Sequence, residues 1–173
     1  MSCLGVHFAL NADDMAELRQ TDLHDEEALQ NYLANLEARY LGEEGGEYSA
    51  ESAKAWDAMH RLLTDGRLEY QNGEYPLNHT VIGGEILIGG GEDDTYIISL
   101  KTPVQVQDIA QALMTIDEET FRRRYFALDE KAYGYPLSED DCDYVFWDWF
   151  QNVRDFYQRA AAANRHVIFT VDQ

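Results

Sequence analysis

Two short segments carry side chains whose types and spacing suit chemistry. In Lys54-Ala55-Trp56-Asp57-Ala58-Met59-His60, Trp56 and His60 are four residues apart and share one face of a helix. Asp57, three residues before His60, is placed to hold the imidazole in one tautomer. Such a trio would serve as a general base or a ligand-gripping imidazole at the mouth of a pocket. The competing interpretation is a histidine packed on tryptophan and satisfied by a backbone carbonyl. The second segment runs Pro76-Leu77-Asn78-His79 into Gly83-Gly84-Glu85. In a glycine-bounded loop, Asn78, His79 and Glu85 would line a cleft together with His60, or His79 would simply cap a short helix. Trp56, Asp57, His60, Asn78, His79 and Glu85 are thus the candidate ligand-binding residues, and no catalytic role can be assigned among them.

Other chemistries find little support. The five histidines include no pair at the helical i, i+4 spacing, and no HExxH occurs. Cys3 and Cys142 lack a CxxC partner, and Asp140-Asp141-Cys142-Asp143 lacks the alternating ligands and glycine of a calcium loop. No metal and no cofactor is therefore expected. The glycines at 89–91 are not followed by GK[ST], no GxGxxG is present, and there is no GxSxG elbow.

The elements that would position these residues alternate between strand and helix patterns. Residues 4–10, Leu-Gly-Val-His-Phe-Ala-Leu, read as a strand apolar on both faces. Asn11 caps a short helix, and a longer one spans His24 to Leu41 with Leu29, Tyr32, Leu33, Leu36 and Tyr40 inward. Ser49 is expected to start the helix that carries Trp56 and His60 and ends at Gly66. Residues 67–94 read as loop-rich, with Pro76-Leu77 opening a short helical turn through Ile82; acidic loops fall at Glu43-Glu44 and at Glu92–Asp94. Thr95–Lys101 is a second strand. Thr102-Pro103-Val104-Gln105 forms a capping box, and Asp117 caps another helix. The longest helix is expected over Glu139–Asn164, with Trp147 or Tyr157 as residues left exposed. His166–Val171 closes the chain as a third strand. The pattern predicts a single α+β domain over residues 1–173, a small mixed or antiparallel sheet covered by helices.

These segments together resemble the YfbM-like bacterial family, a domain whose function is unassigned. The resemblance is carried by GVHFAL, by KAWDAMHRLLTDG at Lys54–Gly66 and by PLNHTVIGGE at Pro76–Glu85. It continues through Ile109–Phe126 and the closing VRDFYQRAAAANRHVIFTV. It implies a single soluble bacterial domain of mixed α and β structure, and it brings neither catalytic residues nor a cofactor.

Charge narrows the function further. Thirty-three Asp and Glu against 13 Lys and Arg give a formal charge of −20 across 173 residues. Nucleic acids and anionic membranes are excluded as partners, because both need clustered cations. With no membrane-spanning run, no basic leader and only two cysteines, the expected location is the cytoplasm. The function expected is non-enzymatic: an acidic protein that binds or inhibits a basic protein partner, in the manner of an immunity protein. The alternative is a small-ligand-binding protein or hydrolase with a pocket around Trp56, His60, His79 and Glu85. Some of the charge is local in purpose, since Asp13-Asp14, Asp117-Glu118-Glu119 and Glu139–Asp143 sit at helix N-termini.

Overall fold

The computed structural model describes residues 3–42, 46–89 and 95–172. The acidic stretches expected to be loops at Glu43-Glu44 and Glu92–Asp94 lie outside the described residues. Five strands form one sheet: β1 (Gly5–Leu10), β2 (Ser49–Ala53), β3 (Glu85–Ile88), β4 (Tyr96–Lys101) and β5 (His166–Asp172), in the order β2-β1-β5-β4-β3. Every pairing is antiparallel; His7 lies opposite Phe169, and Ile98 opposite Thr170. The expected α+β architecture is present, and its sheet is antiparallel rather than mixed.

Both faces of the sheet are covered, which explains why its central strands are apolar at successive positions. Phe8, Leu10, Ile98 and Ile168 point to a core shared with α1 (Ala12–Gln20) and α2 (Glu26–Tyr40). Ala9, Ile97, Val167 and Phe169 point the other way. There they meet α3 (Trp56–Leu63), α4 (Pro103–Leu113), α5 (Glu118–Tyr125) and α8 (Gln151–Ala162). The period-two alternation of a strand therefore feeds two separate cores.

The local start signals are used as expected. Asn11 caps α1 in a capping box with Asp14, Thr102 does the same for α4 with Gln105, and Asp117 caps α5 through Thr120. Two expectations need correction. Ser49 opens β2, not a helix; residues 49–53 pair with β1, Ala53 takes a left-handed φ of 43°, and helix begins only at Trp56. Edge pairing supplies hydrogen bonds that a Ser-Ala-Glu-Ser-Ala segment would otherwise find in a helix. Likewise Glu85–Ile88, expected within a loop region, is the opposite edge strand.

A short helix α6 (Glu130–Tyr133) precedes the C-terminal helical run. That run is not uniform: α7 (Glu139–Asp143) passes through a π-helical stretch, Tyr144–Phe150, before α8. Inserting wider turns buries Val145, Phe146 and Phe150 and leaves Tyr144 and Trp147 outward. Tyr157, the other aromatic considered for exposure, is fully buried.

Candidate functional site

The helix α3 divides the first candidate trio between inside and outside. Its His60 is 1 % exposed, and Nε2 lies 2.8 Å from the Glu69 carbonyl oxygen and 3.0 Å from Asn72 Oδ1. Nε2 therefore carries the proton and donates to both. Asn72 returns its amide to Thr64 Oγ1, Asp65 Oδ1 and the Arg67 carbonyl at 3.1, 2.6 and 2.8 Å. His60 and Asn72 thus fasten the segment after α3 to the helix. Burial lowers the His60 pKa, against the raising effect of these hydrogen bonds, so the ring is held neutral. Asp57 does not orient it: its Oδ1 takes Arg61 Nε at 2.5 Å, one helical turn away.

The second segment forms a separate arrangement. His79 Nδ1 donates to Asn78 Oδ1 at 2.7 Å, and its ring stands edge-on to Tyr75 at 5.1 Å. Glu85 is exposed on the edge strand β3, where its backbone registers with Leu100. Gly83 permits the turn between them, because a Cβ there would fall 2.0 Å from the Asn78 carbonyl oxygen.

Behind both lies a buried polar centre that the sequence did not mark. Lys101, at the end of β4, is fully buried; its Nζ donates to the Val81 carbonyl at 2.5 Å and to Ser99 Oγ at 2.6 Å. Removal from water holds the Lys101 pKa well below the ordinary lysine value. The Thr80 carbonyl accepts from His7 Nε2 at 3.0 Å and from the Tyr157 hydroxyl at 2.7 Å. Burial lowers the His7 pKa to about 3, and a proton on Lys101 opposes a second one there. A proton on Lys101 also opposes protonation of His60 and His79, after burial as the larger cause. The charge of this one buried amine is thus felt at all three histidines.

Trp56 and Asp57 belong elsewhere, in a cleft of about 500 Å³ between the start of α3 and the α6–α7 connection. Its walls carry Trp56, Tyr133, Tyr135 and Tyr144, with carboxylates from Asp57 and Asp141. Cys3, and Lys54 on the exposed rim, also border it. The Trp56 indole is fixed by donation of Nε1 to the Cys3 carbonyl at 3.1 Å and by contact with Phe169 at 6.0 Å between ring centres. Ser138 Oγ donates to Asp141 Oδ2 at 2.6 Å, which orients that carboxylate. The tyrosines and Asp141 were not among the expected site residues. The signal that marks them is Tyr133-Gly134-Tyr135-Pro136, two aromatics in a glycine–proline turn just before an acidic helix start.

Aromatic faces set beside carboxylates, as in this cleft, favour a cation. Among the described residues, no group of three His, Cys, Asp or Glu side chains is placed to hold a metal ion. Among them, too, no helix is long and apolar enough to cross a membrane.

A search of the curated proteins finds no match. Among solved structures, the chain is similar to a protein of unknown function, YfbM from Escherichia coli. The TM-score is 0.64 at 16 % sequence identity, covering 97 % of this chain and 99 % of that one. At that identity the likeness concerns the fold alone. The family model for a domain of unknown function, DUF1877, matches residues 1–170, so the chain belongs to the DUF1877 family.

Proposed function

We propose that this domain is a non-enzymatic binding protein that docks a basic protein partner, in an inhibitory role of the immunity type. The observation carrying this reading is a run of exposed carboxylates interleaved with exposed aromatics. Glu139, Asp140, Asp141, Asp143 and Asp148 are exposed, and so are Tyr135, Tyr144 and Trp147. Carboxylates steer a cationic partner over long range, and exposed aromatics supply contact area once it arrives. Several of the chain's cations are engaged within the fold. Arg39, Arg61 and Arg67 pair with acids outside the run, and Lys101 is interior. Arg122 pairs with Glu139 and Asp143, which leaves Asp140, Asp141 and Asp148 as the run's carboxylates without an arginine partner among the described residues. Cys3 and Cys142 are free thiols, which suits a reducing cytoplasm.

The hydrolase alternative has less support. His60 faces the interior with Nε2 engaged, and Glu85 is exposed on an edge strand. Affinity capture from bacterial extract at low salt tests the docking reading, comparing the wild type with the variant Asp140→Lys/Asp148→Lys/Trp147→Ala. The wild type should retain a basic protein that high salt releases, and the variant should not. Equal retention by both, or retention of no basic protein by either, overturns the proposal.

A further inference from the structure

We infer that the cleft bounded by Trp56, Tyr133, Tyr135, Tyr144, Asp57 and Asp141 is a subsite for a guanidinium group, the side chain of an arginine presented by the partner. The identity of the source rests on the docking reading; the cation chemistry rests on the cleft itself. Its volume, about 500 Å³, is ample for one arginine side chain with its solvent.

The inner wall already displays the chemistry with one of the chain's own residues. Arg61 lies with its guanidinium carbon 5.8 Å from the centre of the Tyr133 ring, while Nε donates to Asp57. An aromatic face and a carboxylate thus hold one guanidinium from within. The outer half repeats the same two components, and among the described residues no ion pair engages Asp141. Tyr135 stands 5.4 Å from Tyr133 and is 65 % exposed, and Tyr144 is 42 % exposed. Asp141 is exposed, with Oδ2 held by Ser138.

Guanidinium suits these walls better than ammonium does. It is planar, weakly hydrated and able to stack on a ring while its N–H groups reach a carboxylate. An ammonium keeps more of its hydration and gains less from ring faces. Lys54 on the rim is exposed, so its charge remains in water, where screening weakens its opposition to an incoming cation.

The test uses the intact protein and the N-acetyl N′-methylamides of arginine, lysine and citrulline, the last a neutral isostere of arginine. Binding is read from the NMR shift of the Trp56 indole N–H. The arginine derivative should shift this resonance saturably, the lysine derivative should bind several-fold more weakly, and the citrulline derivative should leave it unmoved. Asp141→Asn and Tyr135→Ala should each weaken arginine binding about fivefold, whereas Glu27→Gln, at an exposed position on α2 away from the cleft, should not. Both weakening substitutions are at exposed positions, and unchanged far-UV circular dichroism would verify the fold. Equal shifts from arginine and citrulline, equal affinity for lysine, or indifference to Asp141→Asn would overturn the guanidinium subsite. If the arginine probe fails while wild type still captures a basic partner, the subsite falls and docking stands. If the probe binds and capture fails, the subsite stands and the partner reading falls.

Discussion

Lys101 Nζ lies 2.5 Å from the main-chain oxygen of Val81, in an interior that no part of the lysine side chain leaves. The contact ties the Thr80–Val81 segment, which follows the His79 turn, to the end of β4. An amine in this position links the sheet to the turn that carries two of the six candidate residues, Asn78 and His79. It also makes the fold sensitive to protonation.

Stability should rise with pH above neutrality. The folded-state pKa of Lys101 is depressed, so the unfolded chain binds the extra proton between that lowered value and the ordinary one near 10.4. Within this window a single such group contributes a slope of about 1.4 kcal/mol per pH unit in favour of folding as pH rises. Lys101→Met removes the titration. Urea unfolding at pH 7 and pH 9 should show a steeper gain for wild type than for the variant; parallel gains would refute the assignment.

On the acid side, His7 behaves in the same sense. Its folded pKa is lowered to about 3, so the unfolded chain holds the extra proton between about pH 3 and 6.5. The stability this supplies is complete above pH 6.5 and is lost as pH falls through that range. From pH 7 to pH 4 the loss amounts to about 3 kcal/mol from His7 alone. His7→Gln retains a donor for the Thr80 carbonyl and should flatten the acid limb by most of that amount, measured by chemical denaturation across pH.

Asn72 should matter structurally far more than its polarity suggests. It is buried, accepts from His60 and donates to three oxygens. Asn72→Ala leaves the His60 donor with the Glu69 carbonyl alone and should cost about 2 to 3 kcal/mol. Limited proteolysis should cut the variant within residues 67–73 before global unfolding. An unchanged cleavage pattern would show that this network does not hold the segment.

Two glycines should differ sharply in their tolerance of alanine. At Gly134, φ is +87° and nothing lies within 4 Å of an added Cβ, so Gly134→Ala should cost only about 1 to 2 kcal/mol of backbone strain. At Gly83 the Cβ would strike the Asn78 carbonyl oxygen, and Gly83→Ala should cost about 3 kcal/mol or more. Thermal unfolding of the two variants, run side by side, checks the order; equal losses would contradict the turn geometry.

Much of this molecule is local, and that part was legible in the residues. A cap acts on the backbone three positions ahead, so Asn11, Thr102 and Asp117 mark their helices wherever those helices pack. The central strands announce themselves because burial on both faces demands apolar residues at successive positions. Beyond that range, tertiary partners decided. Ser49–Ala53 becomes a strand through β1, and no short-range signal distinguishes it from the start of the α3 helix. Trp56 and His60 do share a helix, yet one faces a cleft and the other the interior. That division depends on where Phe169, Glu69 and Asn72 arrive. The cleft itself joins residues near position 56 to tyrosines near positions 133 to 144. The sequence alone determined the acidic character, the caps and the apolar strands. Only the packing of distant segments decided which aromatics and carboxylates would meet, because such contacts depend on strand order and helix placement rather than on spacing along the chain.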